Sequence, residues 1–455
     1  MSTYLQSPHH EEVIGLNDLR GYFQAHAKPA SRHLLGLEWE LFGNVKDTPL
    51  PLTYHGNAGI EAVLKQLQFQ YGYQPVEEHG HVTALVKGKN YVALEPGSQV
   101  ELSAEPVETV HDVQGQLSRF KRELLGVAEK IPVTWFTAGF HPFARLDQTD
   151  WVPKKRYEIM RHYLAEHGEK AYDMMKRTAA NQVSVDYSDE ADAMEKLRLI
   201  YALTSLVSAL FSHSPFTEGR ANGYLTYRMH AWSRTDNARS GLISGLLQEN
   251  TGFEDYLHYV LEVPMIFIIR ENTWIPMDGM SFREFISKGH NGIMATRDDF
   301  ELHLSTLFPE ARLKNCIEIR GADGQLFEMV PAVPAFWKGI LYDKISRADA
   351  WKVAGGFTWE ERCLFHGDME KAGLRANFGR FEGWEIMREI WAIARRGLNV
   401  QNRRDAWGRT EAIYLDPVTE KIIKTQKTPA EVLIEKWDYE FDRDPHKLLD
   451  YLSLK

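Results

Sequence analysis

The sequence predicts an α+β protein built on a mostly antiparallel sheet, and three observations carry that expectation. Four stretches alternate apolar and polar side chains with the period of two that a strand imposes: Leu37-Glu38-Trp39-Glu40-Leu41, Gln99-Val100-Glu101-Leu102-Ser103, Gln182-Val183-Ser184-Val185-Asp186 and Cys316-Ile317-Glu318-Ile319-Arg320. They are scattered between residues 36 and 320, so a single sheet has to gather them from across the chain. Around them, apolar residues recur every three or four positions, as in Val110, Val113, Leu117, Phe120, Leu124 and Val127, which is the spacing of an amphipathic helix.

Taken in order, residues 11–26 read as a helix leading into the strand at 36–41. Ile60, Val63, Leu64 and Leu67 predict a second helix over 59–70. From 81 to 104 the pattern becomes a meander, with turns at Gly88-Lys89-Asn90 and Pro96-Gly97. Thr109 is placed to cap the long helix that follows and covers the apolar back of the sheet. Residues 133–142 read as a buried strand ending at Pro142. The stretch 145–180 is rich in Arg, Lys, Tyr and Met, and either lines an anionic site or forms a solvated helix face. A helix over 188–212 follows, then an aromatic-rich segment, 222–232, in which Arg228 needs an anionic partner. Residues 263–269 and 313–323 read as strands, the latter closing in a turn at Gly321-Ala322-Asp323-Gly324. From about 331 the chain is largely helical.

Length alone would divide 455 residues into about two or three units. The interleaving of the four strands favours one catalytic unit over 1–455, with a largely helical C-terminal portion. A formal net charge of -10 argues against a nucleic-acid partner held by phosphate neutralisation. The longest apolar runs are about half what a membrane-spanning helix requires. Two cysteines, Cys316 and Cys363, give neither a disulfide framework nor metal-ligand spacing, and a reducing cytosol is the simplest home. The first 30 residues lack a Ser- and Arg-rich transit segment, which fits a cytoplasmic protein.

The polar side of the sheet carries the chemistry. Glu38, Glu40, Glu101 and Glu318, with Glu95 at a turn, repel one another if they converge, so a cation must sit among them. Oxygen ligands select hard cations, and Mg²⁺ in particular shares carboxylates with substrate phosphates. The chain has no G-x-x-x-x-G-K-[ST], G-x-G-x-x-G, H-E-x-x-H or G-x-S-x-G motif. What remains is a carboxylate-lined sheet with arginines nearby, an arrangement suited to Mg²⁺-nucleotide chemistry.

Five motifs in order carry a family resemblance: Gly36-Leu37-Glu38-Trp39-Glu40, the stretch from Leu94-Glu95 to Ser103, Arg156-Tyr157-Glu158-Ile159-Met160-Arg161, Ser214-Pro215-Phe216-Thr217-Glu218-Gly219, and Ile317-Glu318-Ile319-Arg320-Gly321-Ala322-Asp323-Gly324. Together they resemble glutamate–cysteine ligases of the plant and proteobacterial type. The resemblance implies a curved sheet of the glutamine synthetase-like kind that binds ATP, Mg²⁺, glutamate and cysteine, in a monomer or homodimer. It implies phosphorylation of the glutamate γ-carboxyl and attack by the cysteine amine, the first step of glutathione biosynthesis. It also implies roles: Glu38, Glu40, Glu95, Glu101 and Glu318 as metal-facing carboxylates, Arg320 and Gln182 toward the nucleotide phosphates and metal, Arg228 on the glutamate α-carboxylate or transferring phosphoryl group, and Thr178 and Trp232 in the substrate pocket. Arg228 and Arg320 are the residues expected to act in catalysis. Two other readings stay open at this level: a γ-glutamyl ligase using a different amine, and a non-catalytic binding protein on the same fold.

Overall fold

The computed structural model describes residues 12–455. Its centre is a nine-stranded sheet, antiparallel at every pairing. In chain order the strands are β1 (Leu35–Val45), β2 (Gln74–Glu78), β3 (His81–Lys87), β4 (Asn90–Leu94), β5 (Val100–Ser103), β6 (Val133–Phe136), β7 (Ala180–Val185), β8 (Ala311–Leu313) and β9 (Ile317–Asp323). In space they run β8-β9-β7-β1-β5-β4-β3-β2, while β6 pairs the second half of β1.

Register turns the sequence alternation into two faces. Glu38 lies opposite Ser103 and Gln182, Glu40 opposite Glu101, and Glu318 opposite Ser184. Residues directly opposed in an antiparallel pair share a face, so the acidic and amide side chains of all four stretches converge. Leu37, Trp39, Leu102, Val183, Ile317 and Ile319 form the other face and are buried.

Helices close both sides. The first two are α1 (Leu16–Ala25) and α2 (Ile60–Tyr71). The third, α3 (Val110–Ala128), starts where the Thr109 hydroxyl accepts from the Asp112 N–H, and sets Phe120 edge-on against Trp39 with ring centroids 6.3 Å apart. Over the acidic face lie α4 (Lys155–Ala165), α5 (Ala171–Arg177) and, beyond the buried α6 (Glu190–Leu210), the short α7 (Tyr227–Trp232). The C-terminal third is mainly helical: α8 (Ala332–Leu341), α9 (Lys344–Ala354), α10 (Trp359–Ala372), α11 (Gly383–Gln401) and, last, α12 (Pro445–Leu452).

Several expectations are corrected. The helix read over 11–26 is α1; position 11 lies outside the described residues, and the helix starts only after Gly15, whose N–H is taken by the Asp18 carboxylate at 2.8 Å. The strand read over 133–142 ends at Phe136, because the Thr137 and Gly139 N–H groups go to the Leu452 and His213 carbonyls instead of to β1; farther on, buried His141 accepts the Phe143 and Ala144 N–H groups on Nδ1. The strand read over 263–269 is instead a separate hairpin, Phe267–Arg270 with Thr273–Pro276. Its turn residues Glu271 and Asn272 have φ of 47° and 60°, the left-handed pair of a tight hairpin. No turn forms at 321–324: β9 continues to Asp323 through a register irregularity between Ile319 and Ala322. In the basic stretch, Arg156, Lys176 and Arg177 are buried and donate to the Ser305, Leu146 and Ala144 carbonyls. Those three neither line an anionic site nor form a solvated face.

Candidate active site

The cleft between the acidic face and α4, α5 and α7 is lined by Glu40, Glu95, Glu101, Gln182, Arg228 and Arg320, with Thr178 and Trp232 at its wall. Glu95 arrives on the turn between β4 and β5. Within that turn Glu95 donates its N–H to the Gln99 carbonyl at 2.9 Å, and Gln99 Oε1 accepts the Gly97 N–H at 2.9 Å. Gln99 Nε2 donates to the Thr178 carbonyl at 2.8 Å, which fastens the turn to the end of α5. Behind it, Lys154 Nζ and Tyr157 Oη both donate to the Leu94 carbonyl, at 3.1 and 2.7 Å. Gly97 is required there, since a Cβ would lie 2.2 Å from the Lys176 carbonyl oxygen.

A polar chain crosses the sheet. Arg320 Nη1 donates to Gln182 Oε1 and to Glu318 Oε1, each at 2.6 Å, and Gln182 Nε2 donates to Glu40 Oε1 at 2.9 Å. Gln182 is therefore a bridge that sets Glu40 against Arg320, with both ends of its amide engaged. The Arg320 guanidinium also stacks 5.5 Å from the Trp232 ring. Arg228 Nη2 donates to the Arg320 carbonyl at 2.9 Å, while its Nε is buried without a partner. Asp323 organises this corner: it is fully buried and accepts from the His213 N–H (2.8 Å), the Ser214 hydroxyl (2.7 Å) and the Thr226 hydroxyl (3.1 Å), and lies 4.0 Å from Arg228.

The electrostatics divide the carboxylates in two. Burial, reinforced by Glu95 and Glu101, pushes the Glu40 carboxyl up to about 8. Burial also raises Glu38, which is repelled by Glu101 and Glu318, and raises Glu101, which is hydrogen-bonded to the Glu95 carboxyl. Glu318 behaves oppositely: burial alone would raise it, but Arg312 (2.7 Å), Lys314 (2.6 Å) and Arg320 (2.6 Å) hold its carboxyl well below the usual range. Glu38 Oε2 is sealed from water and has no hydrogen-bond partner. An orphaned carboxylate oxygen among mutually repelling carboxyls is the donor set that a hard, oxygen-seeking dication requires.

The structure thus brings Glu40, Glu95, Glu101, Gln182, Arg228, Arg320, Thr178 and Trp232 to one cleft and sets Glu38 and Glu318 on the same sheet face beneath it. Sequence reasoning missed Gln99, Asp323 and the wall formed by Met160, Met174 and Met175. Gln99 stood in an alternating stretch and was visible as polar. Asp323 stood in one of the five motifs but was read as a turn residue, because the partners that make it an anchor lie about 100 residues away in sequence.

The profile of glutamate–cysteine ligase family 2 matches residues 34–446. The chain belongs to that family. A chloroplastic glutamate–cysteine ligase of Nicotiana tabacum is 37% identical over 438 residues, 95% of this chain and 82% of the relative. Glutamate–cysteine ligase B, chloroplastic, of Oryza sativa subsp. japonica is 36% identical over 446 residues, 96% of this chain and 88% of the relative. Among solved structures, glutamate–cysteine ligase from Francisella tularensis in complex with AMP aligns with a TM-score of 0.60 at 10% identity, covering 92% of this chain and 87% of that one, which establishes the shared glutamine synthetase-like fold. The cytoplasmic expectation is corrected by these family-2 relatives, which are chloroplastic and point to a plastid. Two unpaired cysteines fit any reducing compartment, so they could not discriminate. Among the described residues no helix is long and apolar enough to cross a membrane.

Proposed function

We propose that this chain joins the γ-carboxyl of glutamate to the amine of cysteine at the expense of ATP, giving γ-glutamylcysteine, ADP and phosphate as the first step of glutathione biosynthesis. The observation that carries the reading is the opposition, inside one cleft of a family-2 ligase, of Glu40, Glu95 and Glu101 to Arg228 and Arg320. In the first half-reaction a γ-carboxylate oxygen attacks the terminal phosphorus and the bond to ADP breaks. In the second, the cysteine nitrogen attacks the acyl carbon, loses a proton, and phosphate leaves.

Arg320 is oriented by Gln182 and Glu318 to meet the charge that develops on the transferring phosphoryl group. Arg228, with Nε free of protein acceptors, grips the glutamate α-carboxylate or that same phosphoryl group. Thr178, Trp232 and the three methionines wall the substrate pocket and keep water from the acyl phosphate. Glu40, Glu95 and Glu101 form one cation position and Glu38, with its unpartnered Oε2, a second, while Glu318, expected to face the metal, is taken up by Arg312, Lys314 and Arg320 and positions Arg320 instead. Held at these two positions, Mg²⁺ would supply charge that screens the repulsion between the glutamate carboxylate and the triphosphate. The chain works as one catalytic unit, as a monomer or as a homodimer with a complete site in each copy; the interleaved strands of the sheet support this.

The test is ADP release measured with glutamate, ATP, Mg²⁺ and a panel of amines, with the product identified by mass. Turnover is expected with cysteine foremost. Preference for another amine would reassign the acceptor, and no turnover with any amine would overturn the enzymatic reading.

A further inference from the structure

Outside the cleft, one cluster of ligating side chains has no part in the chemistry above. His55 comes from the loop between β1 and α2, Glu61 from the first turn of α2, and His81 from the first position of β3. Each offers a ligand atom, and the three atoms lie within 4.8 Å of one another. We propose that His55, Glu61 and His81 form a second cation site that takes a borderline transition metal such as Zn²⁺, distinct in chemistry from the all-oxygen cleft. Two imidazoles, one carboxylate and a solvent-side fourth position make up a common zinc donor set. Imidazole nitrogen suits Zn²⁺, whereas Mg²⁺ seeks oxygen.

The cluster is fixed by partners that are not themselves ligands, as metal-binding imidazoles and carboxylates usually are. The Tyr54 ring stands edge-on to both His55 and His81, at centroid distances of 4.9 and 6.0 Å, and its hydroxyl is anchored on the Val82 carbonyl at 2.9 Å. The two imidazoles are 5.4 Å apart. Glu61 Oε1 accepts the Val82 N–H at 3.3 Å, leaving Oε2 toward His81 Nδ1 at 3.5 Å. The Thr53 hydroxyl donates to the His55 carbonyl at 3.0 Å, and Gly59 lets that carbonyl approach, since a Cβ there would fall 2.3 Å from its oxygen. Burial notwithstanding, hydrogen bonds from Lys65 and the Val82 N–H hold the Glu61 carboxyl below its ordinary value. Lys65, on Glu61 at 2.9 Å, is 56% exposed and free to swing into solvent when a cation arrives.

The experiment titrates the full-length protein with Zn²⁺, and with Co²⁺ as a spectroscopic probe, in saturating Mg²⁺ so that the cleft is filled. One equivalent is expected to bind with the visible bands of low-coordinate Co²⁺, no thiolate charge-transfer band, and a rise in Tm. Affinity should fall by at least about tenfold in His81→Ala and in His55→Ala, with ligase turnover in Mg²⁺ unchanged in both. Exposed His55 supplies a variant that leaves packing undisturbed should His81→Ala lower the metal-free Tm. Equal affinity in wild type and both variants, a thiolate band, or no binding at micromolar Zn²⁺ would each overturn the proposal.

Discussion

Glu38 and Glu318 share a sheet face and answer to opposite electrostatics. Glu38 is raised by burial and by its acidic neighbours, so Glu38→Gln removes a repulsion; in Mg²⁺-free buffer at pH 8 its Tm should rise while ligase turnover falls by about a hundredfold or more. Glu318 balances buried Arg312 and Arg320 and half-buried Lys314, so Glu318→Gln should lose turnover and also about 3–5 kcal/mol of stability, read from denaturant midpoints. Shifts of the same sign in the two variants would contradict this division. The Glu40 carboxyl, ordinarily near 4.5, is pushed to about 8 in the fold. The folded state therefore keeps a proton that the unfolded chain releases. Stability from this group is greatest below about 4.5 and is lost as pH rises to about 8, by up to ~1.4 kcal/mol per pH unit. Tm measured from pH 5 to 9 without Mg²⁺ should decline along that window, and saturating Mg²⁺ should flatten the decline.

At the scale of elements, the turn between β4 and β5 is set by contact with α5. Gly97→Ala forces a Cβ onto the Lys176 backbone, so the turn must move and carry Glu95 with it. Turnover should drop by about tenfold or more with a smaller loss of Tm, and a variant with normal turnover would show that the turn is not held there. The alternation in β1, β5, β7 and β9 was legible in the sequence because a period of two persists whatever the partner strand, and it led to Glu38, Glu40, Glu101 and Glu318, while Glu95 came with the turn before β5. The helices α2 and α3 were legible for the same reason, through a period near 3.6 and the Thr109 cap. What stayed hidden depends on distant partners. Gln182 reads as a ligand in isolation, and only the approach of Arg320 and Glu40 makes it a bridge. Arg156, Lys176 and Arg177 look like solvated or anion-binding groups until α4 and α5 bury them against carbonyls.

Across the whole molecule, the C-terminal third closes the sheet and so supports the site from a distance. Glu411, fully buried, accepts from Lys338 Nζ on α8 at 2.7 Å and from the Val110 N–H that begins α3 at 2.5 Å. Farther on, α12 covers Phe42 and Phe136, and the Leu454 N–H reaches the Trp135 carbonyl at 2.8 Å, capping the edge of β6. Deleting 445–455 should uncover that edge and its aromatic patch, lowering Tm and producing aggregates by light scattering; a monodisperse deletion of unchanged Tm would refute the role. The crowding of Glu40 by Glu95 and Glu101 in a buried cleft has a further consequence. With its carboxyl pushed up to about 8, Glu40 keeps a hydrogen ion in the cleft at neutral pH, and a dication entering must evict it. Calorimetric heats of Mg²⁺–nucleotide binding should then differ between Tris and phosphate by the ionisation enthalpy of each buffer, and an unbuffered solution should turn measurably more acidic as the enzyme loads.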